Sequence, residues 1–96
     1  MADPKKAYEK KLEAQLAQWE AEIDKLQAQA DQAEAEARRE YYDRIEKIRE
    51  LQESARRKLD HLKNAGDDAW QDLKSGAEMA RDALASAVKS AANRFR

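Results

Sequence analysis

The chain has 96 residues, 41% of them charged at a formal net charge of −1, with two glycines, one proline and no cysteine. Such figures leave no disulfide framework and no thiolate chemistry, and they lack the basic excess of a phosphate-binding surface. What they suit is one small domain built from long helices.

The N-terminal MADPKKAYEKK is charged where a secretory signal needs an apolar core, and nowhere do about eighteen apolar residues run together, so a cytoplasmic location is expected. A first helix is predicted from Pro4, because Asp3 can accept from free amides as an N-cap and proline suits the first helical turn. From there a stripe recurs at Tyr8, Leu12, Leu16, Trp19, Ile23, Leu26, Ala30, Ala33, Ala37, Tyr41, Ile45, Ile48, Gln52, Ala55, Leu59 and Leu62. Its mean step is about 3.6 residues, the period of a single helical face. Leu16 to Ala37 keeps the alternation of threes and fours of a coiled-coil seam, and successive fours around Tyr41 relax the supercoil. With no glycine or proline between Lys5 and Asn64, the expectation is one helix over residues 4–65, about 90 Å long, which needs a partner along its length. Glu34 with Arg38, Glu40 with Arg44, Asp43 with Lys47 and Glu53 with Arg57 have the spacing of same-helix ion pairs on the wet face.

Asn64-Ala65-Gly66 supplies residues that tolerate a left-handed helix end, and Asp68 with Gln71 has the spacing of a capping box. Residues 64–68 therefore read as a turn. A second helix is predicted over residues 68–94, with Trp70, Leu73, Ala77, Ala80, Leu84, Val88, Ala91 and Phe95 on one face. A short connection makes it fold back antiparallel, placing Trp70 near Leu59 and Leu62. Ser75-Gly76 is a second potential break and is expected to be bridged.

The fold class expected is all-α, a helical hairpin of one long and one shorter helix with three-helix-bundle packing. The shorter helix cannot cover residues 5–35, whose stripe on a lone rod would mark an interface. Residues 1–37 hold nine acids and five bases, and residues 38–66 hold six acids and nine bases. Two copies crossing antiparallel near residue 35, over Ala28, Ala30, Ala33, Ala35 and Ala37, would bring these segments together. An antiparallel homodimer with a three-helix bundle at each end is the expected assembly. A bend near residues 28–32 that closes each chain as its own three-helix bundle is the alternative, and buries the same residues.

No catalytic, cofactor-binding or metal site is expected. His61 is the only histidine, and Lys58 stands where a Glu-x-x-His metal motif needs its acid. Serines 54, 75, 86 and 90 belong to no nucleophile motif. Tyr41-Tyr42 between Arg38-Arg39 and Arg44 is shaped like a base-stacking patch, but Glu40, Asp43 and Glu46 interrupt its charge, and no nucleic-acid partner is expected. The tail is different. Residues 83–96 carry Lys89, Arg94 and Arg96 without an acid, beside Phe95, so the helix over 77–96 has the pattern of a helix lying on an anionic membrane, with Lys89, Arg94, Phe95 and Arg96 as its lipid-facing residues; its apolar face is mostly alanine, however, and packing of that face on the long helix is the favoured reading.

From about Ala7 to Phe95 the chain resembles small bacterial coiled-coil proteins grouped as a stress-response family, in the pattern of Trp19, Tyr41-Tyr42, Ala69-Trp70 with Asp72-Leu73-Lys74, and the closing Arg94-Phe95. The resemblance implies a stress-linked, non-catalytic role, scaffolding a protein partner or holding unfolding clients. It supplies no catalytic residues.

Overall fold

Three helices account for nearly all of residues 3–95, the part of the chain that the computed structural model describes: α1 (Pro4–Asp31), α2 (Ala35–Asn64) and α3 (Asp67–Arg94). The start of α1 is built as its sequence suggests. Asp3 is extended, its carboxylate accepts from the Lys5 amide at 2.9 Å, and Pro4 opens the first turn.

The expected helix over 4–65 is broken, and the chain closes as its own three-helix bundle, the alternative, with the break at residues 32–34 rather than 28–32. At Gln32 the backbone is still helical (φ −94°, ψ −4°) and its amide reaches the Ala28 carbonyl at 3.2 Å, but Glu34 is extended (φ −62°, ψ 151°) and α2 begins after it. Nothing local forces this break, since Gln32, Ala33 and Glu34 are all tolerated in helices. Burial decides instead. Helix propensities differ by tenths of a kcal/mol per residue, whereas fully burying one large aliphatic side chain yields about 1.5–3 kcal/mol. Folding α1 back brings Leu12, Leu16, Ile23, Leu26 and Ala30, all buried, against the rest of the chain without a second molecule.

The second connection is also built differently from its sequence reading. No residue among those described has a positive φ. Ala65 (ψ 144°) and Gly66 (ψ 171°) are both extended, and α3 starts at Asp67 with Gly66 as its cap and no side-chain capping bond. Asp67 and Asp68 lie in the first turn of α3, where negative charge favours the positive end of the helix dipole. Ser75-Gly76 is bridged by continuous helix. A Cβ built on Gly76 would meet only the Lys58 Nζ, 4.0 Å away. Gly76→Ala is therefore expected to stabilise the protein by about 1 kcal/mol, read as a higher urea midpoint with an unchanged slope.

The helices run up, down and up in an elongated bundle of 51 × 22 × 17 Å. Every stripe residue named from the sequence is buried or half-buried. At one end Tyr8 meets Trp70 edge to face, with centroids 5.6 Å apart, and at the other Tyr41 stacks on Phe95 at 4.0 Å. Trp70 thus pairs with α1, its indole N–H donating to the Glu9 carboxylate at 3.0 Å, while sharing one buried cluster with Leu59 and Leu62.

The Tyr8 hydroxyl is enclosed and has no hydrogen-bond partner among the described residues. Burial, and then the Glu78 carboxylate, push its pKa above 10.0. A buried hydroxyl without a partner costs about 1–3 kcal/mol, so Tyr8→Phe is expected to hold or raise stability, by up to about 1 kcal/mol, in a thermal melt.

Candidate functional site

α1 and α2 are held in register by charge as well as by core packing. Lys63 Nζ lies 3.0 Å from the Glu13 carboxylate, Arg56 lies 3.4 Å from Glu20, and Arg49 lies 3.7 Å from Asp24. Further along, the Tyr42 hydroxyl donates to Asp31. Glu13 to Glu20 climbs one helix by the interval that Lys63 to Arg56 descends in the other, so the ladder suits one antiparallel register. Each pair is exposed and worth at most about 1 kcal/mol; as a set they penalise a slipped register. Hydrogen bonding and charge from Glu13 hold the Lys63 ammonium above its ordinary pKa, and the bond to Asp31 raises that of Tyr42. Sequence spacing alone does not reveal these cross-helix pairs; the opposed charge of residues 1–37 and 38–66 is the signal that does. Of the expected same-helix pairs, Glu40–Arg44 at 3.5 Å and Glu53–Arg57 at 2.9 Å are formed, while Arg38 instead donates to the Ala33 carbonyl at 3.0 Å.

Where α1 turns into α2 the bundle is open. Gln29, Gln32, Ala33, Glu34, Ala37, Tyr41 and Phe95 line a cleft of about 500 Å³ between the connection and the end of α3. Its floor is the Tyr41–Phe95 stack. The Tyr41 hydroxyl donates to the Arg94 carbonyl at 3.2 Å, and the Arg94 guanidinium pairs with Glu40 at 2.8 Å. This cleft is lined by two alanines, two aromatic rings, two glutamines and the Glu34 carboxylate, with no histidine or cysteine.

The remaining sequence candidates are dispersed. His61 is exposed on α2, and among the described residues no three His, Cys, Asp or Glu side chains gather as a metal site. Tyr41 faces inward and Tyr42 is tied to Asp31, so the two rings form no shared stacking platform. Phe95, placed on the core stripe and, in the membrane alternative, against lipid, is packed in the core: it is 3% exposed because the Tyr41 ring covers it, and its neighbour Arg94 is paired with Glu40. Lys89 is exposed, and Arg96 lies outside the described residues. No described helix is long and apolar enough to cross a membrane.

Comparison with protein-family models, with curated proteins and with solved structures finds no match to this chain.

Proposed function

We propose that the chain is a non-catalytic helical interaction module that works through the face α1 shares with α2 and α3. The observation that carries this reading is the connection at residues 32–34: no residue there demands a break, so core packing and the cross-helix ion pairs, rather than the connection itself, keep α1 in place. Release of α1 bares Leu12, Leu16, Ile23 and Leu26 together with Ile45, Ile48, Leu59 and Leu84, an apolar surface that takes an amphipathic helix or an unfolding client. Client holding under stress fits the resemblance noted in the sequence. A second copy of the chain, in the antiparallel dimer, is a further partner of the same kind. Action on a membrane surface is less well supported, because Phe95 is taken up by Tyr41.

The test uses an aggregating client protein and the full chain. The chain has no cysteine, so Glu20→Cys with Arg56→Cys places a unique pair across α1 and α2 at a contact of 3.4 Å, which a short bis-maleimide can join. The unlinked protein is expected to suppress client aggregation and the linked one to lose that effect. Equal results with and without the link, or no suppression by either, would reject the reading.

A further inference from the structure

We propose that residues 32–34 are a hinge through which α1 exchanges between two copies, giving the chain two folded forms: the closed bundle, and an antiparallel dimer in which each α1 packs on the partner's α2 and α3. This rests on the reading of α1 as a displaceable helix and adds how the second copy engages and what governs the exchange.

The hinge is chemically suited to opening. Gln32 already has helical backbone angles, and straightening turns Glu34 from extended to helical, with no glycine or proline from residue 5 to residue 65 to oppose it. An unbroken helix also pairs the amides that a new helix start at Ala35 leaves without intrahelical partners.

The register then needs no change. Glu13–Lys63, Glu20–Arg56, Asp24–Arg49 and Asp31–Tyr42 each join a residue before the hinge to one after it. Continued through two straight helices, this register centres on Ala37 and sets Ala33 opposite Tyr41 of the other copy. Those residues line the open cleft of about 500 Å³ in the closed form. The dimer therefore covers a stretch of seam that the closed bundle leaves open, and Ala30, Ala33 and Ala37 let the two backbones approach. Because the core and the ion-pair ladder are the same in both forms, they cancel between them. The balance lies between hinge straightening with cleft closure and the entropy of association, so concentration governs it and salt has little effect.

Ala35→Pro separates the two forms. Ala35 is the first residue of α2, where proline is tolerated, and Glu34 already holds the extended conformation that a residue before proline adopts. In the straight helix the same proline lacks the amide that bonds to residue 31 and clashes with that carbonyl. The experiment refolds the full chain from denaturant at high concentration and then weighs the species by light scattering. Wild type is expected to give a fraction at twice 11.0 kDa beside the monomer. Ala35→Pro is expected to keep the helicity and melting of the monomer while its dimerisation constant falls by at least about a hundredfold. In the isolated wild-type-hinge dimer, bis-maleimide on Glu20→Cys/Arg56→Cys is expected to link two chains, whereas in the monomer it links within one. A wild type that stays monomeric, an Ala35→Pro that dimerises as readily, or a dimer whose link stays within one chain would each overturn the exchange. Were Ala35→Pro to lose helicity, the topology of the link decides alone. None of these outcomes depends on client holding, which is read on the monomer, so the two proposals fail separately.

Discussion

Trp70→Ala is expected to lower the unfolding free energy by about 3–5 kcal/mol, a large share of the 5–15 kcal/mol typical of a domain. The side chain is 3% exposed and closes one end of the bundle. Its ring meets Tyr8 edge to face, its N–H donates to Glu9, and the Lys74 ammonium lies 5.9 Å from the ring centroid. Truncation removes the buried ring and leaves a cavity beneath Tyr8. Trp70→Phe separates the components: it keeps most of the apolar volume and loses the bond to a charged acceptor, so a smaller loss of about 1–3 kcal/mol is expected. Urea unfolding followed by far-ultraviolet circular dichroism measures both. Equal, negligible losses would show that α1 does not pack on the start of α3.

Ile23→Ala is the second large effect, expected at about 2–4 kcal/mol. Ile23 is fully buried, more than two helical turns before the end of α1 at Asp31. On an isolated rod it would be exposed and its truncation nearly neutral, so the size of the loss reports whether α1 is part of the core. Met79→Ala is the matched control. Met79 is 72% exposed on α3, and its replacement is expected to change stability by less than about 0.5 kcal/mol.

The stripe from Tyr8 to Phe95 is legible in the sequence because a helix buries one face and the apolar spacing records which. The cap at Asp3 and the bridging of Gly76 follow from equally local chemistry. The break at residues 32–34 does not, because Gln32, Ala33 and Glu34 are compatible with helix and the turn is imposed by burial of residues far away in the chain. The expected single rod and the observed bundle bury the same side chains and differ only in whether α1 finds its partner within the chain. For the same reason the charge asymmetry was readable, while the individual pairs Glu13–Lys63 and Glu20–Arg56 required the fold. Between α2 and α3 the chain reverses through the extended Ala65 and Gly66, not through the left-handed helix end that Asn64-Ala65-Gly66 suggests. The cleft over Tyr41 and Phe95 was not legible, since it depends on where α3 ends relative to the first connection.

The central claim, that α1 folds back on α2 of its own chain in the monomer, is tested most directly by the distance between spin labels at Glu13→Cys and Lys63→Cys in the monomeric fraction. The side chains at these positions meet at 3.0 Å in the bundle, so a single short distance is expected. A distribution centred near 75 Å, the length of the intervening stretch as straight helix, would contradict it.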